Sequence, residues 1–170
     1  RERLLLYPYA MTRNKEWYRF FSSGLVHGSW MHLLFNGYAL LLFGSILEMS
    51  FVRPELFGPL GGRLVYLGLV LSGLPMASLY SYYKNKDNPR YRALGASGTI
   101  SGLVFAYILL FPLVDLYLIF VPIGIPGFIF GFLYLAVSAY LDKRGGGRIA
   151  HDAHYWGGVW GVVFMAMAKP

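Results

Sequence analysis

The chain has 170 residues, of which 56% are hydrophobic and 18% aromatic, with a mean hydropathy of +0.49 and only 14% charged. A soluble domain of this length has too little interior to hide so much apolar surface, so the composition points to one domain embedded in a membrane. The net charge of +7 falls between the apolar runs rather than along a stripe, which favours a membrane surface over nucleic acid as partner, and the absence of cysteine excludes disulfides and thiolate metal sites.

Residues 1–29 mix charge with Tyr7, Tyr9, Trp17, Tyr18, Phe20 and Phe21. Such a stretch is too interrupted to cross a bilayer. Its aromatic and basic residues suit the headgroup level, and it reads as an interfacial segment with short helices. Residues 30–170 form the core. The first apolar run covers 30–47 and ends at Glu48; Pro54, Gly58, Pro59, Gly61 and Gly62 mark a loop. Residues 64–83 are twenty without a charge, enough to cross about 30 Å of hydrocarbon. A charged loop follows at 84–92, then a third run at 94–111. Residues 112–126 carry Asp115 and three prolines and predict a turn or a re-entrant piece. The fourth run, 127–141, is short but extendable backwards. A polar loop with Gly145-Gly146-Gly147 precedes the fifth run at 153–168. The expected fold is an all-α helical membrane bundle of about five spans, since a lone strand in lipid leaves its backbone groups unpaired. The chain does not open on Met, and it reads as a fragment that starts at Arg1.

The third run opens on Leu94-Gly95-Ala96-Ser97-Gly98-Thr99-Ile100-Ser101-Gly102. A serine hydroxyl is a poor nucleophile unless a base lies beside it. His154 opens the fifth run. Successive spans alternate in direction, so Ser97 and His154 lie at the same end of the bundle. His32 and Asn36, four residues apart on one helix face, start the first span at that end too. Strongly polar groups inside spans are costly, and gathered in this way they point to function. Glycines spaced by three or four at Gly95, Gly98 and Gly102, and at Gly157 and Gly161, allow close helix approach. Read singly, Ser97 is a small packing residue, His154 a helix cap, and His32 and Asn36 interhelical hydrogen-bonding groups. A metal site on His151, Asp152 and His154 is a further alternative, but the His-Glu-x-x-His of a helix-borne zinc protease is absent. A small transporter would place acidic or paired charges within the spans, and there are none.

The sequence resembles the rhomboid family of intramembrane serine proteases, in its bacterial form. Gly95-Ala96-Ser97-Gly98 is like its Gly-x-Ser-Gly signature, His27 to Asn36 like its His-x4-His-x3-Asn, and Ala153 to Gly161 like its Ala-His-x2-Gly-x3-Gly. The resemblance implies a Ser97–His154 dyad without cofactor or metal. It implies an oxyanion hole of His32, Asn36 and the Ser97 N–H. It gives His27 a structural role in the first loop and gives Gly95, Gly98, Gly157 and Gly161 to packing. It also implies a cap in the Gly145 loop, single-span membrane proteins as substrates, and a multi-pass protein of the bacterial inner membrane. The family core has six spans, so a sixth is expected ahead of Arg1. Many members carry an aromatic four residues after the nucleophile, packed on the catalytic histidine. Here that position is Ser101, and Tyr155 or Phe35 is expected to support His154 instead. The first-loop Trp-Arg of the family has its counterpart in Trp17-Tyr18-Arg19. About twelve Lys and Arg lie at the site's end of the bundle against about three opposite, which by the positive-inside rule turns the site towards the cytoplasm, whereas bacterial relatives face it outward. An inactive relative that escorts membrane proteins is the alternative function.

Overall fold

A computed structural model describes residues 2–117, 122–144 and 150–168. After a 3₁₀ turn at Glu2–Leu4, α1 (Pro8–Asn14) begins on a proline, whose missing N–H costs nothing in a first helical turn. Next come α2 (Arg19–Ser22) and a second 3₁₀ turn at Ser23–Leu25. Arg19 ties this segment together. Its side chain is buried, pairs with Glu16, and donates to the carbonyls of Glu2 at 3.0 Å and Leu5 at 2.9 Å. The planar guanidinium can serve several acceptors at once, which a lysine ammonium cannot do in the same geometry. The segment then straps across the approach to the glycine-rich stretch. Leu6 and Ala93 exchange two backbone hydrogen bonds, at 2.9 and 3.1 Å, and the Gly95 N–H donates to the Ser23 carbonyl at 2.9 Å.

Helix α3 (Trp30–Phe51) starts where Ser29, in extended conformation, accepts the His32 N–H at 3.1 Å on its hydroxyl. Helix α4 (Gly58–Asn85) corrects the loop read at Pro54 to Gly62: Gly58, Pro59, Gly61 and Gly62 form its first turns, where a proline lacks nothing the helix needs, and Pro75 lies in its interior. Both are long and apolar enough to cross a membrane. The chain then enters α5 (Ser97–Leu110), which ends before Pro112. The expected turn at 112–126 is a hairpin: β1 (Asp115–Tyr117) pairs antiparallel with β2 (Gly124–Pro126), placing Leu116 opposite Ile125. Helix α6 (Gly127–Arg144) follows directly and is docked by Gly127 N–H to Val114 and Phe128 N–H to Pro112. It therefore does not extend backwards, as its sequence suggested. Pro126 closes the hairpin, and the helix gains its length forwards to Arg144. Helix α7 (His151–Ala168) completes the bundle.

Helix α5 is the axis: ten of its fourteen residues are buried. Helices α3, α4 and α7 surround it, and α6 leans mainly on α7. The densest apolar core joins Leu47 and Phe51 of α3, Leu69 of α4, Leu103 and Ala106 of α5, and Met165 of α7. These residues sit in the half of the bundle away from Ser97. Outward, the helices carry bare Leu41, Leu60 and Phe132, the pattern of a surface solvated by lipid tails. The molecule is thus a mostly helical membrane bundle, dry at one end and polar at the other.

Candidate active site

Backbone glycine contacts set the geometry of the polar end. A Cβ on Gly157 of α7 would overlap the Gly98 carbonyl of α5, and one on Gly161 would overlap the Gly102 carbonyl. A Cβ on Gly98 would lie 2.7 Å from the Ala77 Cβ and 2.9 Å from the Ala153 carbonyl. Helices α5 and α7 therefore touch backbone to backbone, closer than any side chain permits. That approach brings His154 Nε2 to 2.7 Å from Ser97 Oγ, at the first turns of two parallel helices.

Gly95 turns the chain into α5 at φ +105°, a conformation that disfavours any side chain. A Cβ there would also meet the His32 ring, 2.7 Å from Cε1 and 2.9 Å from Nε2, with Asn36 Nδ2 at 3.8 Å. The bare glycine thus leaves His32 and Asn36 room to converge beside Ser97. Asn36 is buried, and among the described residues its Nδ2 finds no hydrogen-bond partner. A buried amide with unspent hydrogens is costly unless something uses them. His32 Nδ1 accepts the Gly28 N–H at 3.4 Å, so in the neutral ring the proton sits on Nε2, the atom turned towards Gly95. The His27 ring packs edge-on against His32, centroids 5.1 Å apart.

All four polar residues line one cavity of about 880 Å³, which continues past Gly28 and Ser29 to Arg90 and Arg92 in the loop before α5. Tyr91 of that loop has a hydroxyl out of solvent, and burial, with Asp152 adding to it, pushes its pKa up to about 12. Asp152 is turned away from His154: it accepts from Ser81 Oγ at 2.7 Å. His151 meets His154 only edge to ring at 6.0 Å. The three potential metal ligands at the start of α7 therefore do not converge. The Gly145 loop lies outside the described residues.

One expectation is corrected. Tyr155 and Phe35 do not support His154. Tyr155 follows His154 on α7, points about 100° further round the helix, and packs edge-on against Trp156; Phe35 faces outward and is exposed. The aromatic beside His154 is Tyr134 of α6, with ring planes 28° apart and centroids 6.4 Å apart. Its hydroxyl lies 2.6 Å from Ser101 Oγ, and that serine in turn donates to the Ser97 carbonyl at 2.9 Å. The one advance signal was Ser101 itself, a small hydroxyl where an aromatic was expected.

Fold and cavity together define a helical membrane bundle with a serine–histidine contact in a polar recess. The family model described as the rhomboid domain matches residues 14–170, nearly the whole chain. The chain belongs to the rhomboid family, most of whose members are serine intramembrane proteases. No curated protein matches it.

Proposed function

We propose that the chain is an intramembrane serine endopeptidase that cuts single-span membrane proteins with a Ser97–His154 dyad. The observation that carries this reading is the 2.7 Å contact of Ser97 Oγ with His154 Nε2 in a cavity that also holds Asn36 and His32. Ser97 donates its proton to His154 as its oxygen attacks the scissile carbonyl, and His154 returns that proton to the leaving amine. The oxyanion forms at the N-terminus of α5, where backbone N–H groups, Ser97's included, have no partner within the helix. Asn36 Nδ2 and His32 Nε2–H supply the side-chain donors.

Helices α3 to α7 are the five spans of this reading. At fourteen residues α5 rises only about 21 Å, less than the hydrocarbon thickness, so one of its ends must lie below a membrane surface, and on this reading it is the end that carries Ser97. The cavity then brings water down to Ser97, and a substrate helix must unwind to expose its peptide bond. On the same reading the aromatic and basic residues of the N-terminal segment suit the headgroup level, and the protein belongs to a bacterial inner membrane.

The test is cleavage of a single-span reporter in lipid nanodiscs, with fluorophosphonate labelling alongside. The parent cleaves and labels, Ser97→Ala does neither, and His154→Ala loses cleavage. Asn36→Ala lowers kcat by about 10²–10³, the usual loss for one oxyanion donor. Cleavage that survives Ser97→Ala overturns the nucleophile. A folded parent that binds the reporter without cutting or labelling is an escort protein instead.

A further inference from the structure

We propose that Tyr134, carried on α6, is the positioning residue that fixes the His154 ring and the Ser97 backbone together. The inference rests on the dyad reading above and adds a residue that no family motif in this chain contains.

The geometry is two-sided. The Tyr134 ring lies nearly parallel to His154 at 6.4 Å, within the range of offset aromatic pairs. A histidine ring held only by its Cβ–Cγ bond can rotate and turn Nε2 away from the serine. A neighbouring ring plane hinders that rotation. Phe105 of α5 at 5.8 Å and Phe130 of α6 at 6.0 Å pack against Tyr134 in turn, so its own rotamer is fixed.

The hydroxyl performs the second task. Ser101 has one hydroxyl hydrogen, which it gives to the Ser97 carbonyl. The bond between Ser101 and Tyr134 therefore runs from the tyrosine: Tyr134 O–H donates to Ser101 Oγ, and Ser101 O–H donates to the Ser97 carbonyl. One side chain thus stacks beside the base and reaches the nucleophile's peptide through a single serine. Ser101 is nearly fully buried, so a large ring cannot be accommodated there while Tyr134 occupies the adjoining space. The pair Ser101–Tyr134 replaces an aromatic on α5 with one delivered from a different helix.

That origin has a consequence. Helix α6 is held mainly by α7 and only lightly by α5. Dyad alignment then depends on where α6 sits, and any displacement of α6 at the height of Tyr134 releases the His154 ring.

The experiment compares the parent with Tyr134→Leu, Tyr134→Phe and Tyr140→Leu, the last an exposed control on the same helix. Reporter kcat and KM, the pH profile of kcat and the fluorophosphonate labelling rate are measured in nanodiscs, with the His154 ring-proton shift from protein labelled on histidine. Tyr134→Leu is expected to lower kcat and labelling about 10–100-fold, the scale of a misplaced catalytic group, and to alter the pH profile, with KM within about twofold. The His154 signal moves as the ring current is lost. Tyr134→Phe keeps the ring and recovers activity to within a few-fold of the parent, consistent with the loss of one neutral hydrogen bond. Tyr140→Leu matches the parent. A Tyr134→Leu variant with parental kcat and labelling overturns the proposal, as does an unmoved His154 signal. The shift is read whether or not the protein cleaves. A parent that neither cleaves nor labels, yet shows the shift change, removes the protease reading while upholding the ring contact.

Discussion

Two regions bring the polar residues together, and they do so by opposite means. The α5–α7 seam works by omission: Gly98, Gly102, Gly157 and Gly161 carry no side chains, and carbonyls of α5 sit where Cβ atoms on Gly157 and Gly161 would otherwise stand. The segment at residues 2–29 works by addition. Arg19 is committed to Glu16 and to two carbonyls, and strand-like bonds from Leu6 and Ser23 hold the chain leading into Gly95. The seam sets the distance between Ser97 and His154. The strap sets the path by which the chain reaches Ser97, beside His32 and Asn36. A seam of bare backbone tolerates no added atom. A strap of hydrogen bonds tolerates size but not the loss of a donor.

The sharpest way to break the contrast is Gly157→Val. Its branched side chain must displace the Gly98 carbonyl, so the cost exceeds the roughly 1–3 kcal/mol of ordinary overpacking. Fluorophosphonate labelling should fall by about 10²-fold or more as Ser97 and His154 separate; labelling at the parental rate would show that the seam yields. Next in size is Arg19→Lys, which keeps the charge and the bulk but loses the fork. It should cost about 2 kcal/mol, the scale of hydrogen bonds to a charged group, seen as a lower midpoint of thermal unfolding in detergent. An unchanged midpoint would move the strap's strength from Arg19 to its backbone bonds.

The smallest effect is a pH dependence. The hydrogen bond from Arg19 holds the Glu16 carboxyl below its ordinary value, against the opposing effect of desolvation. A carboxyl with a lowered folded pKa adds stability that is complete above its unfolded value of about 4.5 and is lost as pH falls through the folded one. Unfolding midpoints should therefore drop more steeply in acid for the parent than for Glu16→Gln. Equal slopes for the two would take Glu16 out of the strap.

Much of this arrangement is written locally in the chain. The apolar runs mark α3, α5, α6 and α7 to within a few residues, because a helix in lipid needs little beyond length and hydropathy; α4 starts six residues early, at Gly58, because a proline and glycines are tolerated in a first turn although they resemble a loop in sequence. Ser97, His154, His32 and Asn36 could be singled out because each opens a run at the same end. Residues 112–126 were less legible. Their prolines forbid a helix, but the pairing of Leu116 with Ile125 depends on contacts nine residues apart that periodicity does not encode. Tyr134 was harder still. It lies in the middle of an apolar run, 33 residues from its partner Ser101, and its role exists only once α6 is docked. Arg19 and Glu16, three apart, were within reach of spacing rules, yet the carbonyls of Glu2 and Leu5 were not.

The seam also has a meaning in time. On the proposed reading, nucleophile and base are joined through touching backbones, so their encounter is not an event that recurs in each turnover. It is completed once, when the bundle folds. In the proposed chemistry the clock then starts with the substrate: a peptide bond wrapped in its own helical turn must come loose inside the cavity before it meets a pair of groups already waiting. Such a protease would be selective through the reluctance of intact helices to open, and most membrane proteins would pass it uncut for as long as their helices hold.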